Sequence, residues 1–267
     1  MNRSITFIGG GNMASAIIGG ILKAGFANPG DITATAKTDA TCEKLKKDFK
    51  IQCTTDNASA AENADILFLA VKPFLFSSVI PEIRDMVKPE TLVVSIAAGQ
   101  TMDAIENLFD KEIKLIRVMP NTPALVGESM SALCQNSHVT PEEMTEILKI
   151  FESFGKAEIV PESLMDTVTG ISGSSPAYVY IMIEAMADAA VADGMTRNQA
   201  YKFAAQAVLG SAKMVLETGK HPGELKDAVC SPGGTTIAAV AKLEEKGFRD
   251  AVICAQRSCV ARSKEMK

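Results

Sequence analysis

Ile5-Thr6-Phe7-Ile8-Gly9-Gly10-Gly11-Asn12-Met13-Ala14 is the stretch on which the fold turns. A short apolar run ends on glycines. Apolar positions then recur at helical spacing (Met13, Ala14, Ile17, Ile18, Ile21 and Leu22), and Gly25 suits the helix end. The pattern predicts strand, tight turn, helix. Within it, Gly9-x-Gly11-x-x-Ala14 has the spacing of a dinucleotide-binding turn. Gly9 permits the turn, Gly11 lets the backbone approach a pyrophosphate, and small Ala14 allows close helix–strand packing. The helix N-terminus favours the phosphate charge. A purely structural glycine-rich turn has the same letters, but the flanking strand and helix favour the nucleotide.

Downstream the alternation continues. Residues 32–36, 51–53, 65–71, 92–97 and 115–119 read as strands, and 41–49 as a charged surface helix. The last three strands stop at Lys72-Pro73, Ala98-Gly99 and Pro120-Asn121. Regular alternation predicts a parallel sheet with helices on both faces. The expectation is an α/β Rossmann-type doubly wound sheet over residues 1–160. Beyond it strand signals vanish, and residues 161–267 read as an all-α domain with helices at 163–171, 175–192, 197–217, 222–230, 236–246 and 248–266. Pro176 and Pro222 suit first turns, and Gly219 and Gly247 suit C-terminal caps. Segment 175–192 is apolar around much of its circumference. Such a helix is buried on several sides, which favours cover by a second subunit over an ordinary central helix.

The bulk properties narrow the partners. The chain has 267 residues, 47% of them hydrophobic, and a net charge of −5 with no long basic run. That argues against nucleic acid or an anionic membrane as partner. No signal peptide or membrane span is read, so a cytoplasmic location is expected. Cysteines 42, 53, 134, 230, 254 and 259 contain no C-x-x-C and read as reduced, partly buried thiols. His138 and His221 are the only histidines, and no metal site is expected.

The end of the second strand selects the cofactor. NAD-preferring folds usually place a carboxylate there for the ribose 2′-hydroxyl. This chain has Thr35-Ala36-Lys37-Thr38, whose cation and hydroxyls suit a 2′-phosphate. NADPH is expected, with NADH as the weaker alternative. Asp39 counts the other way, and Lys37 also reads as a plain surface residue. Strand ends should line the crevice: Val71, Lys72 and Pro73, then Ala97 and Ala98, then Pro120, Asn121 and Thr122. Asn57, after a short strand, suits the adenosine end. Each of these also reads as a simple loop residue.

A second motif lies near the C-terminus. Ser231-Pro232-Gly233-Gly234-Thr235-Thr236 precedes an apolar helix. Its glycines leave N–H groups for a ligand, and the helix dipole suits a small carboxylate. Thr235 or Thr236 is expected to cap the helix. The alternative is a helix–helix turn with a good N-cap. Residues 171–178 form a second hydroxyl-rich turn, which simple capping also explains, and Glu162 also reads as a helix-dipole residue.

Reducing a ketone makes an alkoxide and needs a proton donor. The motif segments offer only hydroxyls, amides and Lys72. A protonated imine carries its own positive charge, which hydride neutralises, so the site needs positioning more than proton transfer. A C=N acceptor fits better than C=O.

These blocks resemble those of pyrroline-5-carboxylate reductases over essentially the whole chain. The resemblance rests on Phe7 to Met13, Leu69-Ala70-Val71-Lys72-Pro73, Met119-Pro120-Asn121-Thr122-Pro123, Ser172 to Tyr178, and His221 to Asp227 leading into Ser231 to Thr236. The last block is highly specific. The resemblance implies reduction of (S)-1-pyrroline-5-carboxylate to L-proline, a helical domain that dimerises by interleaving, and rings of dimers, often decamers, whose sites neighbouring subunits complete. It implies Thr236 at the ring nitrogen, Ser231, Gly234 and Thr235 on the carboxylate, and Glu162 beside the substrate. Gly9, Gly10, Gly11, Asn12, Met13, Asn57, Val71, Lys72 and Ala98 would contact the cofactor. Ser175 stands where the family more often has Gly, and Ala228 where some members have Asn. Two other readings stand beside this one. A related NADP-dependent reductase would act on a 3-hydroxy acid or a different cyclic imine; the former would want a positioned lysine, and Lys213 and Lys226 are available but not in the Gly-rich helical context expected. A nucleotide sensor without turnover is disfavoured by the intact Thr236 and glycine pair.

Overall fold

The computed structural model describes residues 3–266, so the outermost ends of both expected domains, at residues 1, 2 and 267, lie outside it. The first unit alternates as follows: β1 (Ile5–Ile8), α1 (Asn12–Lys23), β2 (Ile32–Thr35), α2 (Asp39–Phe49), β3 (Gln52–Thr54), α3 (Asn57–Glu62), β4 (Ile66–Leu69), α4 (Phe76–Ile83), β5 (Leu92–Ser95), α5 (Met102–Phe109), β6 (Lys114–Met119), β7 (Ser129–Gln135), α6 (Pro141–Glu152), β8 (Gly155–Ile159) and α7 (Met165–Val168). The sheet order is β3-β2-β1-β4-β5-β6-β7-β8. Strands β1 to β6 are parallel, with Phe7 opposite Ala34 on one side and Phe68 on the other. Strand β7 runs antiparallel to β6, and β8 parallel to β7.

Helices cover both faces, so β1, β4 and β5 are buried throughout and consist of near-continuous apolar runs. On one face Ile17, Ile18 and Ile21 of α1 and Ile147, Ile150 and Phe151 of α6 pack on Phe7 and Phe68. The Phe7 and Phe68 rings stack 4.4 Å apart. On the other face Ile80 and Ile83 of α4 and Ile105 and Phe109 of α5 pack on Leu67, Leu69 and Val93.

Strands β7 and β8 and helix α6 were not expected. Strand β7 reads Ser-Met-Ser-Ala-Leu-Cys-Gln, and its buried Ser129 and Ser131 carry no apolar signal. Strand β8 is half charged. Pairing, not hydrophobic pattern, makes them strands.

By compactness, the first unit comprises 3–174 together with 259–266, and the second 175–258. The sequence division at 160/161 is one of character. The chain stays with the first unit past it because Met165 and Val168 pack against Ala132 and Cys134. Residues Thr169–Gly173 form a π-helical turn. The second unit is helical: α8 (Ser175–Ala192), α9 (Arg197–Thr218), α10 (Pro222–Val229), α11 (Thr235–Glu245) and the start of α12 (Phe248–Glu265). Gly219 and Gly247 adopt positive φ at helix ends. The end of α12 belongs to the first unit, where Ser263 donates to buried Asp166. Among the described residues no helix is long and apolar enough to cross a membrane.

Candidate active site

The sheet's strand order reverses direction between β1 and β4, and there the first cleft opens. It holds about 730 Å³ and is lined by Gly9 to Met13, Ala36, Lys37, Thr41, Ala70 to Pro73, Leu75, Ile96 to Ala98 and Thr122. Gly9 has φ +106°, and a Cβ there would lie 2.9 Å from the Ala70 carbonyl, so no other residue fits between β1 and β4. Its N–H donates to the buried Thr35 hydroxyl at 3.0 Å. Gly11 is the N-cap of α1, and nothing lies within 4 Å of where its Cβ would be. The first turn of α1 carries no acidic residue and no side-chain cap, so its N–H groups suit an anion. Two lysines and no carboxylate line the cleft, and neither Lys37 nor Lys72 forms an ion pair among the described residues. These residues fit a dinucleotide carrying several phosphates.

The cofactor motif needs correction in detail. Thr35 turns inward to Gly9, and the Thr38 hydroxyl caps α2 by accepting from Thr41 N–H, so neither faces the cleft. Thr41, missed in the sequence, takes that place beside Lys37 because it lies one turn into α2. Asp39 opens α2 and is not on the lining. Asn57 and Asn121 also lie off the lining. Asn57 starts α3 and donates to Glu82. Asn121 is buried. Its amide nitrogen donates to Ser172 carbonyl and hydroxyl, and its oxygen accepts from Ser129 Oγ and Met130 N–H. It braces three segments of the first unit.

Glu162 also belongs to the first unit. Its Oε1 accepts from Met102 N–H at the start of α5 and from Arg117 Nη1, each at 2.8 Å. It therefore serves the N-terminus of a different helix from the one it precedes. Arg117 is 4% exposed. The Cys134 thiol beside the pair is pushed up to about 12, first by burial and then by the Glu162 charge, which Arg117 partly offsets.

In the second unit, Gly234 rather than a threonine is the N-cap of α11. Thr235 and Thr236 are its first two residues, because Gly233 turns the chain at φ +66° and Gly234 N–H bonds back to Ser231 carbonyl at 3.0 Å. Among the described residues neither threonine hydroxyl has a hydrogen-bond partner. A Cβ on Gly234 would meet Ser231 Oγ at 2.3 Å. Apart from the Gly234–Ser231 bond, the turn presents the unpartnered Thr235 and Thr236 hydroxyls at a helix start, which is not what a plain threonine-capped turn does. Lys226 pairs with Asp227 and exposed Lys213 with Glu217. A hydroxy-acid reductase would need one of them poised as a donor, and both are engaged.

The open parallel sheet, the glycine turn at its switch point and the cation-lined cleft define a nicotinamide-dinucleotide oxidoreductase with an added helical unit. Residues 4–99 match the family model "NADP oxidoreductase coenzyme F420-dependent", and residues 162–266 match "Pyrroline-5-carboxylate reductase dimerisation". The pyrroline-5-carboxylate reductase of Escherichia coli (strain K12) is 52% identical over 266 residues, covering 100% of this chain and 99% of that protein. That of Methanosarcina acetivorans is 47% identical, covering 99% and 98%. A solved pyrroline-5-carboxylate reductase from Coxiella burnetii superposes with TM-score 0.92 at 35% identity, covering 100% and 99%. One from Plasmodium falciparum, with NADP bound, gives 0.90 at 33%, covering 99% and 98%. The chain belongs to the pyrroline-5-carboxylate reductase family.

Proposed function

We propose that the chain reduces (S)-1-pyrroline-5-carboxylate to L-proline, the last step of proline biosynthesis, in the cytoplasm, using NADPH in preference to NADH. The observation that carries this is the Ser231–Thr236 turn, with unpartnered threonine hydroxyls at a helix start. Residues 1–160 hold the cofactor, and 161–267 hold the substrate and the subunit contacts.

When bound, the reduced nicotinamide supplies the hydride. The N–H groups at the start of α1 would hold its pyrophosphate, and Lys37 and Thr41 the ribose 2′-phosphate. Val71, Lys72 and Ala98 wall the strand ends. Ser231 Oγ and the Thr235 N–H would grip the substrate carboxylate, helped by the dipole of α11, while Gly234, whose N–H is held by the Ser231 carbonyl, lets it approach closely. Thr236 Oγ1 would bond the ring nitrogen and fix the orientation of the C=N bond. A protonated C=N acceptor already carries its charge, so this chain's residues would need to position it rather than donate a proton to it. Glu162, held by Arg117 and Met102 N–H, is the further residue assigned to the substrate.

The chain self-associates through its helical unit. The exposed apolar residues there support a dimer, and a ring of dimers such as a decamer completes each site with a neighbour's residues.

The test is NADPH oxidation with pyrroline-5-carboxylate as acceptor. Turnover is expected, and a protein that binds NADPH yet never turns over at high enzyme concentration would sink the reading. Thr236→Ala should lower kcat/KM by about 1–3 kcal/mol of transition-state stabilisation. Wild-type kinetics in that variant would remove Thr236 from the mechanism.

A further inference from the structure

Cys42 and Cys53 meet at the edge of the sheet; Cys42 follows Thr41 on α2, but neither cysteine lines the cofactor cleft. Cys42 lies on the buried face of α2, and Cys53 is the middle residue of the edge strand β3. Their sulfurs stand 2.7 Å apart. A disulfide bond is about 2.05 Å long, so bonding asks for a shift of less than about 1 Å. Cys53 also lines a polar cavity of about 670 Å³, together with Arg3, Asp31, Thr33 and Asp65, through which a small solute reaches it. The other four cysteines have no sulfur partner among the described residues.

We propose that Cys42 and Cys53 form a two-electron redox site, which a peroxide converts to a disulfide joining α2 to β3. Cys53 Sγ, as thiolate, attacks one peroxide oxygen. The O–O bond breaks, the leaving oxygen takes a proton and departs as water, and Cys53 becomes a sulfenic acid. Cys42 Sγ then attacks that sulfur. The S–S bond forms, the S–O bond breaks, and the hydroxyl leaves with the Cys42 proton as a second water. The two sulfurs are oxidised together by two electrons and the peroxide is reduced. A dithiol reductant reverses the step by exchange.

The surroundings set pace and consequence. Burial pushes the Cys53 thiol up to about 12, and the Cys42 contact adds to the shift. Thiolate is therefore scarce at neutral pH, and the site responds to sustained oxidant rather than to brief pulses. The bond closes a short loop between an edge strand of three residues and a helix whose Leu45 packs under Gly10 of the dinucleotide turn. It braces the outer wall of the cofactor half without touching the reacting atoms.

The experiment treats the full-length protein with excess hydrogen peroxide, alkylates remaining thiols under denaturing conditions, and maps the peptides by mass spectrometry. The expected result is a cross-linked peptide joining Cys42 and Cys53, with loss of two hydrogens, reversed by dithiothreitol and abolished in Cys53→Ser. The oxidised protein should melt roughly 5 °C higher. Recovery of Cys42 as alkylated thiol with Cys53 oxidised to sulfinic acid would overturn the proposal, as would preferential pairing of either with another cysteine. A Tm that stays level or falls would show that the fold does not pre-arrange the bond. These readouts follow sulfur chemistry and stand whether or not the chain turns over pyrroline-5-carboxylate.

Discussion

The two units of this chain are finished to different degrees. In the first, aromatic and branched side chains fill both faces of the sheet, with Phe7, Phe68 and Phe151 each essentially inaccessible. In 175–258 the buried apolar residues are Ala187, Ala200 and Ala204, while Ile181 is 66%, Phe203 68% and Leu216 78% exposed. Polar groups follow the same division. The first unit buries paired charges such as Lys114–Glu143 and Arg117–Glu162, whereas the ion pairs of the second lie on exposed helix faces. Burial of apolar surface is the main favourable term in folding and association alike. A unit whose large apolar groups face outward is therefore stabilised by another copy of itself. The first unit draws its stability from within, and the second draws much of its stability from association.

The sharpest way to break this contrast is in the first core. Phe68→Ala should cost about 3–5 kcal/mol, because a ring stacked on Phe7 leaves a cavity that the sheet cannot close. A thermal melt at fixed protein concentration reads it. A Tm within a degree of wild type would mean that this core is not what holds the unit.

The second unit should fail differently. Ile181→Asp combined with Phe203→Asp removes little from within the chain but places charges on the associating faces. Self-association should weaken at least about 100-fold, roughly 2.7 kcal/mol, by sedimentation velocity. Unchanged oligomer size would mean that these faces are not the contact.

Charge offers a smaller test. Burial pushes Glu143 up, but hydrogen bonds from Lys114 and Thr140 N–H outweigh it and its carboxyl titrates lower than usual. A lowered folded pKa adds stability above the unfolded value near 4, which is lost as pH falls through the folded value. Glu143→Gln should therefore cost about 1–2 kcal/mol at neutral pH, with the gap closing in urea melts taken progressively below pH 4. Lys213→Ala, which breaks an exposed helix pair of the second unit, should cost less than about 0.5 kcal/mol. Equal costs would erase the contrast.

Cofactor choice offers a test read in kinetics rather than stability. Lys37→Glu should shift the kcat/KM ratio from NADPH towards NADH by about tenfold, near 1.4 kcal/mol. An unchanged ratio would leave Thr41 and the helix dipoles to carry the preference.

Legibility in the sequence followed how local the physics is. The helices 175–192, 197–217 and 248–266 were readable to within a residue or so, because caps and periodicity are short-range signals. Strands β7 and β8 were not, since their strand character comes from partners in the sheet and their apolar pattern is broken by buried Ser129 and Ser131 in β7 and by Lys156 and Glu158 in β8. At the site, the glycine turn was legible because a positive φ and a close approach leave only one residue type. The roles of Thr35, Thr38 and Thr41 were not, because which hydroxyl turns inward depends on Gly9 N–H and on the cap of α2. Asn121 read as a loop residue near the cofactor, and packing made it a buried brace.

By itself the sequence determined the alternating α/β half, the helical half, the dinucleotide turn and the glycine- and hydroxyl-rich turn before α11. Each is written in spacings of a few residues. The tertiary structure alone decided that β7 and β8 extend the sheet, that the end of α12 returns to the first unit, that Gly234 rather than a threonine caps α11, and that Cys42 meets Cys53. Those facts rest on contacts between segments distant in sequence or on the exact path of a turn, and no local pattern records them.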